Sequence, residues 1–249
     1  MIALITPTGN RPVQFNLCSM FMQRQTYQGK VVWIIVDDCI PITSNIVQEN
    51  FRGNWTIIKI FPTPPWNQNV NTQARNLAAG FNMLLSRYKK EEIEAIFIIE
   101  DDDYYRASYI ENMIPRLNGF IAAGEIQTIY YNVAYRQFCT NTNYGHSSLF
   151  QTVLKVDAIP ILEQAFTDKF IDLKFWTLVQ NKNLFKAGDL SIGIKGIPGR
   201  YGIGIGHRRF NGWPEDPQMI HLTSWIGTDA SLYSSFYLGS RKTQLFHKR

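Results

Sequence analysis

Cysteine is scarce in this sequence. Cys18, Cys39 and Cys139 are odd in number and far apart, which excludes a disulfide framework and a zinc knuckle and predicts small core residues in a reducing cytoplasm. Long apolar runs are missing too. The longest falls well short of the about 20 residues that cross a bilayer. Met1-Ile2-Ala3-Leu4-Ile5 carries neither a basic lead nor a cleavage site, so no anchoring or secretion is expected and the chain reads as cytoplasmic. No internal repeat is present. What the chain does have is 45% hydrophobic and 14% aromatic content over 249 residues, enough to bury a full core as one domain or two tightly joined halves.

The most informative stretch is Ile96-Phe97-Ile98-Ile99-Glu100-Asp101-Asp102-Asp103, an apolar run that stops in four consecutive acids. A short β-branched and aromatic run suits a strand covered on both faces. The acids repel one another, and a hard divalent cation with oxygen ligands relieves that repulsion. A solvated acidic turn is the alternative. Net charge is uneven: residues 1–185 hold sixteen bases and sixteen acids, whereas residues 186–249 hold nine bases and four acids. A basic C-terminal segment can gather phosphates of a nucleotide or a nucleic acid. Arg241, Lys242, Lys248 and Arg249 fit a solvated tail equally well.

In chain order, Met1 to Thr6 predicts a strand that breaks at Pro7-Thr8-Gly9-Asn10-Arg11-Pro12, a cluster of turn formers at the strand end where open α/β sheets bind ligands. Residues 13–28 carry roughly helical apolar spacing closed by Gly29, and strands follow at Val31–Val36, ending in Asp37-Asp38, and at Trp55–Phe61. This rhythm implies parallel pairing with right-handed crossovers. A Pro- and Asn-rich loop over 62–71 precedes a helix near 72–90, and a second helix is expected over 109–117. Residues 126–133 and 149–156 read as β-rich, 161–180 as mostly helical, and 191–206 as a glycine-dense loop.

Four of these motifs together resemble a known family. Thr6-Pro7-Thr8-Gly9-Asn10-Arg11, Val36-Asp37-Asp38, Ala74-Arg75-Asn76 and Ile99-Glu100-Asp101-Asp102-Asp103 are similar, in order and spacing, to motifs of the GT-A glycosyltransferases, closest to the family 2 group. Glu100 departs from the Asp more usual there, which leaves two registers for the acidic motif, with Asp102 a metal ligand in either. The resemblance implies an α/β fold, a three-layer α/β/α sandwich around a mostly parallel sheet. It implies a single GT-A domain over 1–249, with residues 1–103 as the nucleotide-binding half and 104–249 as the acceptor-side half. It further implies a nucleoside diphosphate sugar donor, most simply a UDP-sugar, and Mn2+ or Mg2+ bridging the diphosphate.

On the same resemblance, Thr6, Pro7, Thr8, Asn10 and Arg11 would supply donors and a cation, Asp37 and Asp38 would meet the base or ribose, and Arg75 would reach the diphosphate or pair with a surface acid. Asp101 would orient ribose or donor sugar, with Asp103 beside Asp102 on the metal. Phe170-Ile171-Asp172-Leu173-Lys174-Phe175-Trp176 resembles the helix start that carries the family's catalytic base, so Asp172 is the candidate base of an inverting transfer and Asp168 the fallback. An acid favoured by a helix N-terminus is the alternative. In the glycine-rich run from Gly193 to His207, Lys195 and Arg200 can neutralise phosphate and His207 can complete a metal shell.

Two other classes compete. A nucleotidyltransferase would favour a Gly-rich, Lys- and Arg-bearing loop straight after the first strand, which Thr-Pro-Thr-Gly-Asn-Arg fits poorly; a noncatalytic module would not need both an acid cluster and a base. For the acceptor, the missing anchor, Arg208, Arg209 and the basic tail point to DNA carrying a hydroxymethylated pyrimidine, as in some phage enzymes of this kind, flipped from its stack. A glycan or lipid-linked sugar is the alternative, and Trp213 and Trp225 could stack on either.

Overall fold

Strict alternation of apolar side chains organises the centre of the molecule. In Ile2–Thr8 (β1) and Val31–Asp37 (β2) successive residues point to opposite faces. Ile2, Leu4, Val31, Trp33 and Ile35 enter one core, and Ala3, Ile5, Val32, Ile34 and Val36 enter another. The computed structural model describes residues 1–42, 44–46, 50–51, 54–67, 71–202, 204 and 206–239. Between the first two strands runs Pro12–Gln23 (α1), whose proline occupies the first turn, where a missing N–H costs nothing. Trp55–Ile60 (β3), Gln73–Arg87 (α2), Ala95–Ile98 (β4), Tyr104–Tyr105 (β5) and Tyr109–Met113 (α3) follow.

The second half contributes Ala122–Glu125 (β6), Gln127–Asn132 (β7), Gln137–Thr142 (β8), Thr152–Leu154 (β9), Ile159–Gln164 (α4), Ile171–Leu178 (α5), Lys182–Phe185 (β10), Ser191–Lys195 (β11) and Ile220–Ile226 (α6). A seven-stranded sheet runs β10-β6-β9-β4-β1-β2-β3, and a four-stranded one runs β5-β11-β7-β8. In the large sheet β1 is parallel to β2 and β4, β2 to β3, and β10 to β6, while β9 is antiparallel to both its neighbours. The core containing Phe15, Phe21 and Tyr109 takes α1 and α3; the core containing Leu77, Phe81, Phe175 and Trp176 takes α2, α4 and α5. This is the three-layer α/β/α arrangement expected from the sequence, with a mostly parallel central sheet. Among the described residues no helix is long and apolar enough to cross a membrane.

Two expectations are corrected here. The helix expected over 13–28 stops at Gln23, because the next residues dock on the chain before α3: the Gln25 amide donates to the Arg106 carbonyl at 2.8 Å and accepts from the Ile110 N–H at 3.1 Å, and the Thr26 N–H reaches the Ala107 carbonyl at 2.8 Å. The run from Ser191 begins as a buried strand, not a loop. Gly193 is in that strand because a Cβ there would lie 2.5 Å from the Tyr130 ring on the adjoining β7.

Candidate active site

Parallel β1, β2 and β4 end at one edge of the sheet, so Thr8, Asp38 and the four acids converge there. The turn after β1 depends on Gly9: its φ is +149°, and a Cβ would fall 2.0 Å from the Asp38 carboxylate. The Asp38 N–H donates to the Thr8 carbonyl at 3.1 Å, locking the two strand ends together.

The acids are interleaved with two cations. Arg11, at the start of α1, reaches Asp101 at 2.7 Å and Asp102 at 2.8 Å. Lys195, the last residue of β11, lies 3.0 Å from Asp103 and 3.4 Å from Asp102. Thr8 donates its hydroxyl to Asp101 at 2.6 Å, the Ile194 N–H donates to Asp103 at 3.0 Å, and the Gln73 amide donates to Glu100 at 2.5 Å. Burial works against charge on Arg11 and Lys195, but the acids hold both above their usual range, so they stay cationic. Burial would raise Asp102 as well, yet Arg11 and Lys195 hold it well below the usual carboxylate range. Its neighbours go the other way: burial pushes Glu100 up to about 7 and Asp101 to about 6, and holds Asp103 well above the usual carboxylate range.

Asp38 forms a second centre. Its carboxylate accepts from Arg200 at 2.8 Å, Asn76 at 2.8 Å, Arg75 at 3.4 Å and the Thr72 hydroxyl. Arg200 also donates to Thr72 at 2.7 Å and lies over the Trp66 ring at 4.3 Å. The loop bearing Arg200 is held down by Gln14 of α1, whose amide donates to the Pro198 carbonyl at 3.1 Å.

A cavity of about 410 Å³ is lined by members of both clusters, on the Asp38 side by its partners Arg200, Thr72 and Asn76. Pro7, Thr8, Arg11, Asp101, Asp102, Lys195, Arg200 and His207 line it together with Asp172, Ile171, Phe170, Lys169, Tyr130 and Ser148. Asp172 is in the first turn of α5, and burial raises its affinity for a proton. His207 packs against Tyr201 with ring centroids 5.8 Å apart, its Nδ1 is buried without a hydrogen-bond partner, and burial together with Lys195 lowers its pKa to about 4. The imidazole is therefore neutral, the form that binds metals.

Other expected site residues sit differently. The Thr6 hydroxyl is buried under β2, accepting from Trp33 Nε1 at 2.9 Å, and Asp37 accepts the N–H groups of Cys39 at 3.0 Å and Ser44 at 2.8 Å, which orders the turn after β2. Neither lines the cavity, and nor do Asn10, Asp38, Arg75, Asp103 or Asp168. Asn10 takes φ +56° in the turn after Gly9. Trp225 packs on Phe138 at 5.3 Å and Trp213 on Phe210 at 5.7 Å; the aromatics on the cavity are Trp66, Tyr130, Phe150, Phe170 and Tyr201. Arg208 is exposed, Arg209 pairs with Glu215 at 2.6 Å, and residues 241–249 lie outside the described residues. Thr72, Gln73 and Trp66 escape a sequence reading. The one available signal was Thr72 and Asn76 at i and i+4 around the start of α2, on one helix face.

No protein-family model matches the chain, and no curated protein matches it in sequence. Among solved structures it is similar to S. aureus TarS 1-349, with a TM-score of 0.52 at 10% identity over 78% of this chain and 60% of that one. The same fragment in complex with UDP gives 0.51 at 10% identity and the same coverage. A longer TarS chain gives 0.50 at 9% identity, with 36% of it covered, so this chain spans less than two thirds of the length of these structural neighbours. At that identity the likeness is one of fold, and the fold is GT-A.

Proposed function

We propose that this protein is a glycosyltransferase that moves a sugar from a nucleoside diphosphate sugar to a hydroxyl acceptor with inversion. The observation that carries this reading is the single cavity that joins the Thr8–Arg11 turn, Asp102, Lys195 and Arg200 to Asp172. The cations and turn suit a diphosphate, and Thr72 and Asn76, held by the buried Asp38 and lining the cavity, suit the hydrogen-bonding edge of a nucleoside. UDP, the ligand of the similar TarS structure, is the first nucleotide to test. Asp172 takes the acceptor proton while the acceptor oxygen bonds to the anomeric carbon and the bond to the diphosphate breaks.

Mn2+ or Mg2+ belongs to this reading. Among the described residues no three His, Cys, Asp or Glu side chains converge on a point, so a cage made by the protein alone does not fit. Ions of this kind take only one or two carboxylates plus substrate phosphates, and that arrangement fits Asp102 and the unpartnered Nδ1 of His207, both at the cavity wall. When bound, the ion would stabilise charge on the leaving diphosphate. Asp103 stands behind them, holding Lys195 and the Ile194 N–H.

For the acceptor we propose a hydroxymethylated pyrimidine in DNA. Exposed Phe170 and Tyr201 on the cavity wall, with Lys169 beside them, can stack on a flipped base and meet its phosphate. Transfer from a panel of sugar nucleotides to modified DNA and to free glycans, with Mn2+ and with EDTA, tests the proposal. Transfer only to glycans removes the DNA acceptor, full activity in EDTA removes the metal, and no binding or turnover of any sugar nucleotide removes the activity itself.

A further inference from the structure

One side chain keeps Asp38 away from the cavity. The Thr72 hydroxyl, Asn76 and Arg75 all donate to Asp38 Oδ2, whereas Oδ1 takes Arg200 Nη1 at 2.8 Å. Arg200 Nη2 also reaches the Thr72 hydroxyl at 2.7 Å, and the guanidinium lies over Trp66, 4.3 Å from the ring centroid. Trp66 is fixed to the same residue, its N–H donating to the Asp38 carbonyl at 2.7 Å. Trp66, Thr72, Asn76 and Arg200 line the cavity, with the Asp38 carboxylate fully buried behind them.

A flat group that donates N–H in its own plane to a carboxylate while lying on an indole describes a nucleobase as well as a guanidinium. The two cannot share one slot. The chain around Arg200 would let it move: Pro198, Gly199, Tyr201 and Gly202 are exposed, and Gly199, at φ +134°, makes a joint after the Pro198 carbonyl that Gln14 holds. Asp38 would keep Arg75 within 3.4 Å as a cation. Arg200 shares its cavity wall with Arg11 and Lys195, where a diphosphate would offer it a new anionic partner.

We infer that Arg200 sets the selectivity of this site for nucleoside diphosphates over nucleosides: it occupies the slot between Asp38 and Trp66 that the base needs, and gives it up in exchange for the diphosphate. The inference rests on the donor reading of the cavity. A nucleoside offers the displaced guanidinium nothing and meets the whole cost of breaking its ion pair, whereas a nucleoside diphosphate recovers part of it.

The test compares uridine, followed by ligand-observed NMR, with UDP, followed by calorimetry, on the full chain in the presence of Mn2+. A slot blocked in about nine molecules of ten weakens its ligand about tenfold. Arg200→Met, which keeps the stem and removes the fork, should therefore bind uridine about tenfold more tightly than the wild type does. UDP should gain less or lose affinity, since what it gains at the slot it gives up at the diphosphate. Uridine unchanged with UDP weakened overturns the inference and leaves Arg200 a plain phosphate contact; both weakened, in a variant that circular dichroism shows folded, leaves it a structural one. Equal gains for both ligands overturn the exchange. If Arg200→Met does not fold, Arg200→Lys decides by the same comparison, because an ammonium cannot bridge Asp38 and Thr72 as a planar fork does; uridine should again tighten, and no gain overturns the inference. Failure of UDP and uridine to bind any form overturns the donor reading, and the inference with it, whereas UDP binding to the wild type without a uridine gain in the variant overturns the inference alone.

Discussion

Asp172 and Arg11 do opposite work with charge. Asp172 faces the cavity from a helix start, and its burial strengthens it as a base. Replacing it with Asn keeps the shape and removes the proton acceptor, so transfer should fall by about 10²- to 10⁴-fold. UDP affinity, followed by calorimetry, should stay within a few-fold, and transfer surviving at that level in the variant would place the base elsewhere. Arg11 neutralises two buried carboxylates at once. Arg11→Met leaves Asp101 and Asp102 without that partner, and breaking such a pair from one side costs about 3–5 kcal/mol. Urea unfolding of the variant should show that loss; an unchanged midpoint would mean the acids are balanced without Arg11.

Between elements, close approach and buried charge set the limits. Helix α2 lies on β1 at Gly80, where a Cβ would meet Ile5 Cγ2 at 2.6 Å. Gly80→Ala gains up to about 1 kcal/mol of helix propensity. The overpacking against a strand fixed on both sides should outweigh it, for a net loss of about 1–3 kcal/mol. A lower urea midpoint with an unchanged m-value would show this; a higher midpoint would mean that Ile5 moves aside.

At the end of β6, Glu125 is buried, accepting the N–H groups of Ala187 at 3.2 Å and Gly188, and burial pushes it up to about 7 from 4.5. The folded state therefore holds this proton more tightly than the unfolded state. The stabilisation is full below about pH 4.5, falls as pH rises, and is gone above about 7, a change on the order of 3 kcal/mol. Glu125→Gln should flatten that part of the stability-versus-pH curve; identical slopes for variant and wild type would mean that the carboxylate ionises at no cost.

Over the whole molecule the formal charge is +5, and the excess lies after residue 185. A protein that neutralises several phosphates loses DNA affinity by about an order of magnitude or more between about 50 and 200 mM salt. That slope is expected here for duplex DNA, and Arg208→Ala, at an exposed position, should flatten it. Arg209→Ala should do less, because Arg209 is already paired with Glu215. DNA binding that is undetectable at low salt, alongside transfer to a free sugar, would leave the glycan acceptor in its place.

The strands and acids at the sheet edge were legible in the sequence because their pattern is local: Ile2–Thr8, Val31–Asp37 and Ala95–Ile98 are short apolar runs that stop at turn formers or acids, and parallel pairing then forces their ends to one edge. Asp172 was singled out by resemblance rather than by pattern, and the structure puts it in the first turn of α5, on the cavity. Thr6 and Asp37 could not be told from their neighbours, because facing the cavity or a Trp33 indole depends on which way each strand residue points in the finished sheet. The short strands β6, β8 and β10 carry too few apolar residues to announce themselves, and β11 hid behind a glycine that Tyr130 requires. Above all, the counter-charge of the acids came from Arg11 and Lys195, each more than ninety positions of chain from Asp102 and brought to it from two different elements. Only tertiary structure decides that, since an ion pair in a buried cluster is a matter of distance in space and not of spacing along the chain.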